Sequence, residues 1–356
     1  MHLTELFTTP RWYPVSIDWP SQNVRFVEMS AETYRTSTFL DSRLRVSRFG
    51  SELVSLGEIT RAATDFPLGP INYIFHGAFC CSTLLARYLE AMPECFVLKE
   101  PYILSQFAYR VAEDDYCQDC DFLPGLRAIV WLLGRTFHPG QRVVIKLCDV
   151  CNLLSNALLE LSSPANSAFV IASLTEFILS SFNSSERVGW IASRLRYSKR
   201  YPVPVKIPAA VLADSMQSPT RRAAALWLMN RLHAIWLQAS CPGRIRLWSA
   251  AQISETPSDV LTSIFAHLGI ASQQETLDEA LAGTAGHSHA KDIRRPFSRE
   301  SRRRQLADLD AEHGAEAQAA AEWLLTLMAA EEGNLGLVSA VEWPGQVDRW
   351  EAAAVL

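Results

Sequence analysis

The stretch from Ile71 to Tyr102, INYIFHGAFCCSTLLARYLEAMPECFVLKEPY, holds residues whose types and spacing suit chemistry. Between a β-rich run (Ile71, Tyr73, Ile74, Phe75) and a run at helical spacing (Leu84, Leu85, Tyr88, Leu89, Met92) lies Gly77-Ala78-Phe79-Cys80-Cys81-Ser82-Thr83. Gly77 marks the turn, Ser82 or Thr83 caps the first helical turn, and Pro93 stops the helix. A helix that begins directly after a strand aims free N–H groups and the positive end of its dipole at whatever sits over the loop, so this stretch predicts an anion site. Two ionisable residues fall at comparable strand ends: Glu100, after the run Phe96 to Leu98, and Lys146, closing the run Arg142 to Lys146. A lysine at a buried strand end is seldom without a partner.

The elements that must position these residues alternate. After the opening strand and helix come the strand Phe96 to Leu98, a helix from Tyr102 to Val111, a polar loop, a helix from Leu126 to Phe137 and the strand Arg142 to Lys146. Strands alternating with helices at this spacing predict βαβ crossovers and a mostly parallel sheet, in which ligands gather beyond the carboxyl ends of the strands. Further along, Arg221 to Gln238 and Ala315 to Ala330 read as helices. Residues 1–66 form an N-terminal flap region. Within it Val24 to Met29 reads as a strand, Phe39 to Leu44 as a turn of helix or an approach strand, and Leu53 to Ala62 as a short helix. Its dense aromatics (Trp12, Tyr13, Trp19, Phe26, Tyr34, Phe39) read as packing for that flap. Phe66-Pro67-Leu68-Gly69-Pro70 then serves as a linker into the main domain, 67–332, and 333–356 is a tail.

Composition removes several classes of function. With 49% hydrophobic and 20% charged residues the chain is an ordinary globular protein, and a net charge of -5 gives no general attraction to nucleic acid or to an anionic membrane. The N-terminal sequence lacks the pattern of a signal peptide, and no apolar run approaches the roughly 20 residues of a membrane span, so a cytoplasmic location is expected. The chain contains no Gly-Lys dipeptide, hence no Walker loop of the ATPase kind. No internal repeat stands out.

Phe75-His76-Gly77-Ala78-Phe79-Cys80-Cys81-Ser82-Thr83-Leu84-Leu85-Ala86-Arg87, followed by Val97-Leu98-Lys99-Glu100-Pro101, resembles the phosphosulfate-binding loop and next strand of the P-loop sulfotransferases. Val143 to Lys146 resembles the strand carrying a family lysine. Ala168 to Ile171 with Phe177 to Ser181 resembles the strand and helix that hold the cofactor's 3′-phosphate, and Arg244 to Trp248 with Val260 to Ile270 is similar to the late strand and helix. The resemblance implies an α/β fold of the three-layer P-loop type, with a mostly parallel central sheet, an N-terminal flap and a helical C-terminal region. It implies transfer of a sulfuryl group from 3′-phosphoadenosine-5′-phosphosulfate to a hydroxyl of a small-molecule or peptide acceptor. Glu100 would be the base and Lys146 the cation at the leaving oxygen, with Asp149 a second candidate base. Gly77, Cys80, Cys81, Ser82, Thr83 and Ser181 would bind the cofactor. The chain departs from the family pattern at Phe79, where a cation is usual, at Cys81, where a glycine is usual, and at Ala172 or Ser173, where an arginine is usual.

These departures support a second reading, a non-catalytic nucleotide- or protein-binding relative of the fold. Two Cys-x-x-Cys pairs, Cys117 with Cys120 and Cys148 with Cys151, raise a third, a zinc-stabilised protein, but their spacing is longer than the usual ribbon and no metal is expected. An Arg-rich stretch (Arg187, Arg194, Arg196, Lys199, Arg200, with Trp190 and Tyr197) reads as a solvated face or a substitute for the absent arginine, with Trp190 a candidate for stacking on adenine. A second basic stretch, Lys291 to Arg304 after His287 and His289, is another source of compensation.

Overall fold

The computed structural model describes residues 3–44, 48–64, 69–113, 122–202, 207–271, 274–283, 288–289, 292–296 and 298–330. Cys117, Cys120, the Phe66 to Leu68 part of the linker, His287 and the tail 333–356 lie outside the described residues.

Strands β1 (Trp12–Asp18), β2 (Asn23–Glu28) and β3 (Ser51–Ser55) form an antiparallel sheet in that order. Val24 and Phe26 are buried on β2, as their alternation predicts. The expected helix at 53–62 begins later, spanning Leu56–Ala63, because Leu53 and Val54 pair with Arg25 and Val24 as part of β3. Phe39 to Leu44 forms neither helix nor strand. Leu40 is instead pinned by its backbone, its N–H donating to Lys99 O at 2.7 Å and its carbonyl accepting from Tyr102 N at 3.0 Å. The Tyr13 hydroxyl donates to the same carbonyl at 3.0 Å. The chain's start is held by the buried Arg135, whose guanidinium donates to the carbonyls of Leu6, Thr9 (2.6 Å), Trp12 (2.8 Å) and Leu132 (2.5 Å).

Five further strands, β4 (Ile71–His76), β5 (Cys95–Lys99), β6 (Arg142–Lys146), β7 (Ser167–Ile171) and β8 (Ile245–Ser249), form the central sheet in the order β5-β6-β4-β7-β8, flanked by helices. The α/β class and its parallel sheet are as expected: β6 runs parallel to both β4 and β5, with Ile71 opposite Val143 and Cys95 opposite Arg142. β4, β5 and β7 are buried along their whole length, the signature of strands covered on both faces. The second and third strands of this series lie on one side of β4 and the fourth and fifth on the other. The loop after β4 therefore leaves the strand at which the winding changes direction, where ligands collect in such sheets.

By packing, the chain divides into two units, Met1–Phe75 with Ser82–Ala168 and Pro257–Pro296, and His76–Cys81 with Phe169–Thr256 and Phe297–Leu356. In the second unit the buried helix Pro219–Ser240 donates from Trp227 Nε1 to Ala172 O at 2.9 Å. The last described helix spans Arg299–Ala330, starting well before the apolar run at 315. Its first half has no apolar stripe and is supported locally, by Ser298 Oγ accepting from Ser301 N at 2.9 Å and by the Glu300–Arg304 pair at 3.2 Å.

Candidate functional site

In the first unit, β5 and β6 end side by side, with Lys99 opposite Lys146 in the ladder. Glu100, the next residue, takes a left-handed conformation (φ 57°), donates its N–H to Lys146 O at 2.7 Å and is followed by Pro101, which ends the strand. A non-glycine residue in that region stores about 1 kcal/mol or more of strain, a cost found preferentially at functional positions. The Glu100 carboxylate pairs through Oε1 with the ammonium of Lys146, whose side chain is only 2% exposed. Oε2 lies 3.8 Å from the Arg43 guanidinium. Arg43 comes from the pinned flap segment, where its plane lies 3.9 Å over the Phe39 ring and its Nε donates to Asp41 at 2.9 Å. One carboxylate is thus held between a buried cation and an exposed one. That arrangement can accept a proton from a hydroxyl at its open side and offer positive charge to an oxygen that becomes anionic.

Nearby in sequence, Asp149 opens a 3₁₀ turn (Asp149–Leu154), is largely buried, and accepts from Cys148 Sγ at 3.3 Å. Cys151 sits 3.8 Å from Ser105 Oγ, and burial pushes its thiol up to about 12, so it is a protonated core residue. Among the described residues no group of side chains has the makings of a metal site. Ser82 and Thr83 open the helix Ser82–Glu90, and both are buried.

In the second unit the segment His76–Cys81 folds tightly. His76 Nδ1 accepts from Ala78 N at 3.0 Å, and Gly77 N donates to Val170 O at 3.0 Å. A Cβ on Gly77 would lie 3.3 Å from Asn230 Cβ and 3.5 Å from Ile171 Cγ1, so any side chain there would have to press Asn230 aside by a few tenths of an ångström. Ala78, Phe79 and Cys81 are all left-handed, with φ of 65°, 50° and 62°. Turns of this kind bring backbone N–H groups together, as anion-binding loops do.

Phe79 is the aromatic anchor of the loop, its ring 5.3 Å from Phe177, 5.4 Å from Trp190 and 4.8 Å from the Arg187 guanidinium. Arg187 also donates to Ser180 O at 2.6 Å, and Arg194 lies 5.3 Å over Trp190, so part of the first Arg-rich stretch is bound to rings rather than solvated. From the second stretch, Arg302 reaches the loop: Nη1 donates to Cys81 Sγ at 2.8 Å and Nη2 to Glu176 Oε1 at 3.1 Å. Burial pushes the Cys81 thiol up to about 12 against the pull of Arg302, so the sulfur is a neutral acceptor. Cys80 is buried. Ser181 is fully buried, and its hydroxyl donates back to Ile178 O at 2.6 Å within its own helix. Ser173 caps that helix, accepting from Glu176 N at 3.2 Å.

A sulfotransferase stands among the solved structures similar to this chain. The crystal structure of a sulfotransferase from Alicyclobacillus acidocaldarius matches with a TM-score of 0.36 and 15% sequence identity, covering 73% of this chain and 96% of that one. No protein-family model matches, and no curated protein does.

Glu100 and Lys146, expected as base and cation, are brought together. Gly77, Cys80 and Cys81 lie in the left-handed loop, whose chain runs on into Ser82 and Thr83. Sequence reasoning does not reach Arg43, Glu176 or Asn230. Asn230 carries a signal, a lone amide inside the apolar run of its helix, and it donates to Leu226 O at 3.1 Å and Gly77 O at 3.5 Å. Arg43 has only its alternation with Phe39 and Asp41.

Proposed function

We propose that the chain transfers a sulfuryl group from 3′-phosphoadenosine-5′-phosphosulfate to a hydroxyl of a small-molecule or peptide acceptor. The observation that carries this reading is the Glu100 carboxylate held on the buried Lys146 at adjacent strand ends. In the step envisaged, the acceptor oxygen forms a bond to sulfur while its proton passes to Glu100. The sulfur–oxygen bond to the 5′-phosphate breaks, and Lys146 stabilises the charge left on the phosphate oxygen. The N–H groups from Cys80 to Thr83 and the hydroxyls of Ser82 and Thr83 would hold the phosphosulfate. Among the described residues no helix is long and apolar enough to cross a membrane.

Phe79 favours the second reading, a binding protein without catalysis, because its ring stands where a loop cation is usual. Calorimetric titration with 3′-phosphoadenosine-5′-phosphate against ATP, followed by transfer assays with ³⁵S-labelled donor over a hydroxyl panel, separates the two. Micromolar binding with ATP much weaker, and label on an acceptor, is the expected result. Binding without transfer to any acceptor would leave only the binding-protein reading.

A further inference from the structure

Arg302 is the guanidinium that meets the His76–Cys81 loop, and it arrives already engaged. Its Nη1 has a neutral thiol as partner, a weak acceptor, and its Nη2 has a single oxygen of Glu176. The contact to Glu176 is one-point rather than the two-point fork that arginine makes with carboxylates and phosphates at full strength. Both side chains keep some access to water, 17% for Arg302 and 23% for Glu176. In a pair this far from water the arginine gives up the carboxylate only to another anion, and the exposed edge of Glu176 lets the released carboxylate reach solvent. Arg187, the other guanidinium against the loop's Phe79, is committed to Ser180 O and to the ring beneath it.

From this geometry we propose that Glu176 is a resident counter-anion that an incoming phosphate-type anion must displace from Arg302. The inference rests on the reading of the loop as an anion site and adds what a ligand must displace there. In the free protein the carboxylate balances the guanidinium. When a phosphate group arrives, its two oxygens take both Nη donors, Cys81 Sγ gives up its hydrogen bond, and Glu176 turns to solvent. The carboxylate opposes any incoming anion for as long as it stays on the guanidinium, and the two-point contact that phosphate oxygens make with both Nη donors outbids its one-point contact.

The test uses the full chain and two probes, inorganic pyrophosphate and 3′-phosphoadenosine-5′-phosphate, titrated into the native protein and into Glu176→Gln, Arg302→Met and Arg302→Lys variants whose thermal melts show that they are folded. Glu176→Gln is expected to bind both probes roughly 10-fold more tightly, Arg302→Met at least roughly 10-fold more weakly, and Arg302→Lys in between. Unchanged or weaker binding in Glu176→Gln, unchanged binding in Arg302→Met, or no binding of either probe by any of the four proteins overturns the proposal. Sulfuryl transfer is measured separately. Its absence alongside the expected binding changes sinks the enzyme reading and leaves this one standing.

Discussion

Glu100 and Lys146 are joined twice, by the backbone hydrogen bond from Glu100 N to Lys146 O and by the ion pair between their side chains. The first link fixes the separation of the two strand ends, and the second gives a buried ammonium its counter-charge. Replacing Glu100 by Gln keeps a hydrogen-bonding oxygen beside Lys146 but removes the proposed base, so the proposed transfer should fall by roughly 10²- to 10⁴-fold while the fold persists. Lys146→Ala should lower the rate through the leaving oxygen instead. Glu100→Ala strands a buried cation and should cost about 3 to 5 kcal/mol in denaturant unfolding, and the double variant Glu100→Gln with Lys146→Met should regain most of that without regaining transfer. Full transfer rates in a folded Glu100→Gln protein would falsify the assignment of base.

Arg43 separates catalysis from stability. Its side chain is 58% exposed, so its pair with Asp41 is screened and its removal should change the unfolding free energy by no more than about 0.5 kcal/mol. The same guanidinium lies 3.8 Å from the carboxylate proposed to accept the proton. Arg43→Met should therefore lower kcat/KM by roughly 10-fold at low salt, with the deficit shrinking as salt rises, because an exposed charge acts through water. Initial rates at two ionic strengths check this. A deficit independent of salt would mean that Arg43 acts through shape rather than charge.

The strands are legible in the sequence because their residues answer only to local rules. Arg142–Lys146 has the bounds its residues predict, and β4 and β5 agree within a residue or two, since apolar β-branched and aromatic runs between turn residues have few alternatives. Glu100 and Lys146 follow from lying at strand ends. Arg43 does not, because what brings it to Glu100 is Leu40 pinned between Lys99 and Tyr102, a contact with no trace in local spacing. Arg302 lies 221 residues from Cys81, and its helix begins in a charged run without apolar period, so the stretch reads only as basic. Ser181 shows the opposite limit: it ends the helix Leu174–Ser181, and its hydroxyl is turned into that helix rather than towards a ligand.

Arg135 ties residues 6–12 to the body of the first unit by donating to the carbonyls of Leu6, Thr9 and Trp12, besides that of Leu132. Burial pulls its pKa down to about 10, which still leaves it charged at neutral pH. Arg135→Met keeps the volume and removes every donor. Each hydrogen bond from a charged group is worth about 1.5 to 3 kcal/mol, so the loss should be at least about 3 kcal/mol. Arg135→Lys, with three donors but no fork, should fall between. Urea midpoints give the order, and limited proteolysis of Arg135→Met should cut first within residues 3–12. Native-like resistance there would show that the carbonyl contacts do not hold the segment.

His233 supplies a pH dependence whose sign can be worked out. It is fully buried in the helix Pro219–Ser240, among Phe169 (5.8 Å), Tyr201 (5.3 Å) and Trp236 (6.2 Å), and burial lowers its pKa from 6.5 to about 3. Between those values the unfolded chain binds a proton at this position that the folded chain does not. Its contribution to stability is therefore present above pH 6.5 and is lost as pH falls towards 3, by up to about 1.4 kcal/mol per pH unit. His233→Leu removes the titration. The variant is expected to be less stable than the native protein at pH 7, because leucine cannot reproduce the packing of the imidazole among those three rings, but the deficit should narrow by about 2 to 3 kcal/mol by pH 4.5. Urea unfolding of both proteins at four pH values measures the gap, and a gap that stays constant with pH would mean that His233 is protonated within the fold.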